Sequence, residues 1–239
     1  MFGLVGLHRL VIMGRRTIFG GIIERRERWG LTWRGWLFAG SAIIAAGLLL
    51  FFGIHPLLAV THPVNSNVLV VEGWVGKFAI DAAVKEFNAG HYDRVFTTGG
   101  PVEGMGGYSN DFNTSASVGA ELLVGAGLPA SLVKMVPSHV SGRNRTFSSA
   151  LALREYFLTN GVPVKNFNVL TEGAHARRTR LLFQEAFGKG VQVGIISVQN
   201  PDYDANHWWK YSDGVREVIG ETIAYFYAKF FFWPAKAKS

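Results

Sequence analysis

The stretch from Asn166 to Phe183 reads NFNVLTEGAHARRTRLLF. Phe167 to Leu170 is a short apolar run with the residue types of a buried strand, ending in Thr171, Glu172 and Gly173. A helix pattern begins at once: Ala174 to Phe187 carries Leu181, Leu182, Ala186 and Phe187 toward a core. A buried strand that turns directly into a helix is the repeating unit of an α/β fold. His175, Arg177, Arg178 and Arg180 crowd the first two turns of that helix. Cations there oppose the positive end of the helix dipole, at up to about 1 kcal/mol per exposed charge. Two readings account for them: either they join the backbone N–H groups of the helix start in an anion site, or they form a solvated face.

Outward from this unit the pattern repeats. Strand-like runs occur at Val68 to Val71, Asp93 to Thr97, Leu132 to Val136 and Val191 to Val198. Helical patterns lie between them at Ala79 to Phe87, Ser115 to Val124 and Thr146 to Leu158, and an aromatic helix within Trp208 to Phe232 closes the chain. Strands separated by helices of this length imply βαβ crossovers. The expected fold is a Rossmann-like three-layer α/β sandwich with a mainly parallel five-stranded sheet. Ligands of such sheets bind beyond the carboxyl ends of the strands. Glu72 follows the first strand, Thr98, Gly99 and Gly100 the second, Ser138, Ser141, Arg143, Arg145 and Thr146 the third, and Thr171, Glu172 and His175 the fourth. Four strands therefore deliver polar groups to one rim.

Within that rim, Gly142 to Phe147 (GRNRTF) sets Arg143, Arg145 and Thr146 at a helix start, a second anion cradle beside His175, Arg177 and Arg178. Glu72 directly follows four apolar residues, where a carboxylate is expensive to bury unless paired. It reads as a general acid or base, or as the structural partner of Arg145 or Arg177. His91, His139 and His207 read as surface or loop histidines, and Asp202, Asp204 and His207 match no metal-ligand spacing, so no metal is expected. Gly104, Gly106 and Gly107 do not form a dinucleotide loop after the first strand, and no G-x-S-x-G elbow is present. No cofactor is expected.

Composition sets the surroundings. The 239 residues include no cysteine, which removes disulfides and thiolate chemistry. Of the formal net charge of +7, the first 35 residues supply +5, through seven arginines against Glu24 and Glu27. The remainder is nearly neutral, which argues against nucleic-acid binding. Trp36 to Val60 contains no Asp, Glu, Lys or Arg and as a helix would span about 37 Å, enough for a bilayer. Arginine on its N-terminal side places the N-terminus in the cytoplasm. The expected organisation is a basic cytoplasmic tail over 1–35, either an amphipathic segment on the inner leaflet or a disordered basic tail. A transmembrane helix follows over 36–60, then an extracytoplasmic α/β domain over 61–233 and a short tail over 234–239. Seven aromatics between Tyr225 and Trp233 cannot all face one core, so Phe230 to Trp233 is expected to enter the outer leaflet. Packing under the sheet or a homodimer contact is the alternative.

The sequence of motifs VLVVEGW, TTGG, an arginine-threonine helix start, LTEGAHARRTRLLF and GVREVIGE resembles the bacterial DUF218 family, the ElyC/SanA/YdcF group, over about Asn67 to Phe230. The resemblance implies a Rossmann-like domain, often tethered to the inner membrane and associated with envelope integrity, peptidoglycan or lipid-carrier metabolism. The chain departs from the family's Ser-Arg-x-Thr-x-Glu-Asn pattern at Ser148 and Ser149, where Glu and Asn are usual, so Glu72 or Glu172 would have to supply any catalytic carboxylate. Two functions follow as expectations. One is an envelope enzyme acting on a phosphate-bearing glycan or lipid-carrier intermediate. There Gly99, Gly100, Arg143, Arg145, Thr146, Arg177 and Arg178 would form the anion site, His175 would transfer the proton, and Glu72 or Glu172 would orient it. The other is a non-catalytic accessory of envelope or exopolysaccharide assembly, bound to the lipid bilayer and to envelope-assembly proteins.

Overall fold

Val68–Glu72 (β1), Arg94–Gly99 (β2), Val133–Pro137 (β3), Asn166–Glu172 (β4) and Gln192–Val198 (β5) form one five-stranded sheet, parallel throughout, in the order β3-β2-β1-β4-β5. These positions come from a computed structural model that describes residues 17–18, 23–24, 31–90, 92–102, 111–140 and 142–232. The glycine-rich segment with Gly104, Gly106 and Gly107, together with His91, Ser141, Trp233, the 234–239 tail and most of the basic tail, lies outside the described residues. The chain divides into two units, 1–48 and 49–239. In the first, Thr17–Ile18 pairs antiparallel with Ile23–Glu24, and the helix Trp33–Leu58 (α1) begins. It is the one helix among the described residues long and apolar enough to cross a membrane. The second unit holds the sheet and the helices Lys77–Ala89 (α2), Ser115–Gly125 (α3), Arg145–Thr159 (α4), Ala176–Phe187 (α5) and Ser212–Phe230 (α6).

The sheet is buried on both faces because successive side chains of its strands feed two cores. Val68 and Val70 of β1 pack with Phe157 of α4 and Phe183 of α5, whereas Leu69 and Val71 pack with Ile80 of α2 and Leu123 of α3. Leaving β1, the chain moves outward through β2 to β3, then returns to β4 on the other side of β1. The carboxyl ends of β1 and β4 therefore flank the topological switch point, where open parallel sheets bind ligands. β1, β2 and β4 run past their apolar stretches, so that Glu72, Gly99 and Glu172 are their final residues.

Two features brace the sheet, one at each end. Gly73 and Gly119 let α3 press against the turn after β1: a Cβ on Gly119 would come within 2.6 Å of the Gly73 Cα. On β4, buried Asn168 accepts from the Val64 amide at 2.8 Å and donates to the Val64 carbonyl and the Tyr92 hydroxyl, both at 2.9 Å. With the His62–Ile195 bridge, these bonds tie the connector after α1 to the sheet. Within the second unit the final turns of α1 are packed too. Leu58 is fully buried with Trp208, Val218 and Tyr225, and Phe51 meets Trp208 and Trp209 at 5.1 Å between ring centres. The C-terminal aromatic segment begins as a tight turn, Ala205–Lys210, before α6, because His207 leaves helical geometry.

Candidate functional site

β1 carries Glu72 to the switch point with 2 % of its surface exposed. Its Oε2 accepts from the Thr179 hydroxyl at 3.0 Å and lies 3.6 Å from the His175 Nε2. Burial works to neutralise this carboxylate, but the His175 charge and the hydrogen bonds outweigh it and hold its pKa below the ordinary value. After β4 the chain makes a tight turn over Gly173–His175, and α5 follows. Gly173 has φ +34°, and a Cβ there would meet the Glu217 carboxylate at 2.2 Å, so only glycine fits. Glu217 accepts from the Ala174 amide at 2.8 Å and from Asn200 at 3.1 Å, which fixes the turn that presents His175.

His175 sits between two carboxylates. Its Nδ1 lies 2.9 Å from Glu221 Oε1, and Arg178 clamps the same carboxylate through Nε to Oε2 at 2.8 Å and Nη2 to Oε1 at 2.9 Å. The Trp74 ring meets the imidazole edge-on at 4.9 Å. Burial alone would lower the His175 pKa, but Glu72 and Glu221 together push it up to about 9. Burial would raise Glu221, and Arg178 and His175 instead pull it down to about 2. At neutral pH the centre is therefore an imidazolium between two carboxylates, one neutralised by arginine. Such a group is a proton donor and an electrostatic stabiliser before it can act as a base.

Glu72, His175, Arg178 and Glu221 line a cavity of about 440 Å³. Thr98, Gly99 and Gly100 line it at the carboxyl end of β2, Ser115 at the start of α3, Arg145, Thr146 and Ser149 in the first turns of α4, and Ala224, Tyr227 and Ala228 along α6. Asn144, at φ 60°, precedes α4 without capping it through its side chain, so the first-turn N–H groups of that helix are not met by the usual cap. Two buried polar atoms lining this cavity have no hydrogen-bond partner among the described residues: the Thr98 hydroxyl and His175 Nε2. A buried donor left without an acceptor costs about 1–3 kcal/mol, which an acceptor held in the cavity would offset.

Of the residues expected from the sequence, Glu72, Gly99, Gly100, Arg145, Thr146, His175 and Arg178 line this cavity. Glu72 meets Thr179 and His175, and Arg177 turns away, donating through Nε to the Leu57 carbonyl with its guanidinium 6.0 Å from the Tyr225 ring. Arg143 is exposed in the turn before α4. Glu172 accepts from the Gly76 amide, and burial raises its pKa. The residue that orients the His175 Nδ1 is Glu221, which sequence reasoning missed; its one signal was a glutamate in a largely apolar stretch of the last helix. Asp204 and His207 pair with each other at 2.6 Å. Among the described residues no group of three or more His, Asp or Glu side chains is arranged to hold a metal ion. Compared with known protein families and with curated proteins, the chain matches none.

Proposed function

We propose that this is a membrane-anchored envelope protein that binds a phosphate-bearing glycan or lipid-carrier intermediate in the cavity at the switch point, as a divergent member of the DUF218 group. One observation carries the reading. His175 is buried and held cationic, its Nε2 makes no hydrogen bond among the described residues and only an ion pair with Glu72 at 3.6 Å, and it lines the same cavity as Arg145 and the start of α4, which the Asn144 side chain does not cap. Those are the components of an anion site. A phosphate oxygen would accept from Nε2–H, and that proton would pass from the imidazolium to the oxygen as it leaves, with Glu72 stabilising the cation beforehand. Arg178 positions the imidazole through Glu221. The anchor is α1, with the N-terminus cytoplasmic and the body in the extracytoplasmic space of a bacterial inner membrane.

A second reading, a non-catalytic accessory of envelope or exopolysaccharide assembly, is favoured by Ser149. It lines the cavity 3.3 Å from Ser138, at the position where the resembling family usually carries the asparagine that follows its glutamate. Mass spectrometry of phosphate-bearing molecules that co-purify with the full chain and with His175→Gln tests the binding claim. Such a molecule should accompany the first and be lost from the second; equal amounts, or none in either, would contradict it. A reporter fused after Ser239 should be active only outside the cytoplasm.

A further inference from the structure

The helix α6 has two apolar faces, and the site uses only one. Gly214, Val218 and Tyr225 are buried, and Ala224 and Ala228 wall the cavity. On the opposite side, Ile219, Ile223, Phe226 and Phe230 are exposed by 48 %, 66 %, 46 % and 54 %. At 3.6 residues per turn these four fall within an arc of about 60°, a continuous stripe along the helix. Asp213 and Arg216 pair with each other before the stripe begins, and at its far end Lys229 lies 5.5 Å from the Phe230 ring. An unpartnered stripe of this length signals a contact.

We propose that this outward face of α6 rests on the lipid bilayer. The chain itself limits what can cover it. Only three residues separate Leu58, the last residue of α1, from His62, which already bridges to the edge strand β5. That connector reaches at most about 14 Å. Leu58 is buried against Val218 and Tyr225 of α6, and Arg177 links the Leu57 carbonyl to the Tyr225 ring. The end of a helix able to cross a membrane is thus packed onto α6, which keeps α6 within reach of the headgroups. Isoleucine and phenylalanine enter the acyl boundary, while Lys229 and Tyr227 suit the headgroup level. Phe232 does not share this face: it turns inward, edge-on to Phe147 at 5.1 Å, and lines the cavity. The surface that meets lipid is therefore the flank of α6 and not its tip. The cavity, walled by the other side of the same helix, is thereby held at the membrane surface.

The absence of cysteine makes the test direct. The full chain, one copy per nanodisc of phosphatidylethanolamine and phosphatidylglycerol, is labelled singly with an environment-sensitive fluorophore at Ile223→Cys, Phe226→Cys or Phe230→Cys. Leu122→Cys on α3, across the sheet, serves as the exposed control. Lipids bearing a doxyl quencher should remove most of the emission at the three α6 positions and leave Leu122→Cys unchanged. Emission at the three positions that ignores the quencher overturns the proposal. A blue-shifted but unquenched label would assign the stripe to protein contact, and a red-shifted one to solvent.

Discussion

Glu221→Gln isolates the charge that holds His175 in its protonated state. The substitution preserves size but removes the carboxylate that takes the His175 Nδ1 at 2.9 Å and two Arg178 nitrogens at 2.8 and 2.9 Å. It also leaves Arg178 Nη2 only 2.9 Å from Nδ1 with no anion between them. Breaking a buried pair of this kind costs about 3–5 kcal/mol, and with side chains 16–20 % exposed the lower end applies. The pH dependence follows from the direction of the shifts. His175, raised from 6.5 to about 9, contributes stability that is complete below pH 6.5 and lost as pH rises through 9. At ~1.36 kcal/mol per pKa unit that amounts to roughly 3 kcal/mol. Glu221, lowered from 4.5 to about 2, contributes stability present above pH 4.5 and lost as pH falls through 2. In Glu221→Gln the Glu221 share of the acid loss disappears, leaving that of Glu72, and the alkaline loss shrinks, because only Glu72 still supports the imidazolium. Carbon-13 labelling of the histidines in the full chain, with an NMR titration beside denaturation at pH 6 and 9, measures both. A wild-type His175 that titrates at or below 6.5, or one whose pKa is unmoved by the substitution, would refute the reasoning.

Thr179→Val removes the hydroxyl that donates to Glu72 and should destabilise the protein by about 1–3 kcal/mol, seen as a lower unfolding midpoint; an unchanged midpoint would show that Glu72 does not rely on it. Gly119→Ala drives a methyl toward the Gly73 backbone and should cost about 1–3 kcal/mol, whereas Gly125→Ala in the same helix, with open space around it, should be neutral or stabilising by up to about 1 kcal/mol. Denaturation of the pair checks the contrast. Asn168→Ala leaves the Val64 amide and carbonyl and the Tyr92 hydroxyl without their partner, and hydrogen exchange at the Val64 amide should accelerate along with a loss of about 2 kcal/mol or more.

The sheet was legible because each strand is an apolar run bounded by turn residues and followed by a helix pattern, and burial on both faces leaves that signal strong. The carboxyl-end rim follows from parallel topology alone, and Glu72, Gly99, Gly100, Arg145 and His175 line the cavity there. The roles within the rim were harder to read. Arg177 and Arg178 are neighbours on α5, yet a 100° turn sends one to the end of α1 and the other to Glu221, and nothing local in the sequence distinguishes them. Glu221 lies 46 residues from His175, so the pair exists only through the packing of α6 on α5. Strand order, which places β4 beside β1, likewise depends on tertiary packing and was not deducible from periodicity.

The central claim is that the buried imidazolium receives an anion in the cavity. A titration of the full chain with inorganic pyrophosphate, read at the imidazole nitrogens of its seven histidines, addresses it most directly. The account predicts a saturable shift of the His175 Nε2 signal, retained up to about pH 9 and absent at His139 and His207. Pyrophosphate that leaves the His175 signal unmoved, or that shifts exposed histidines equally, would contradict it.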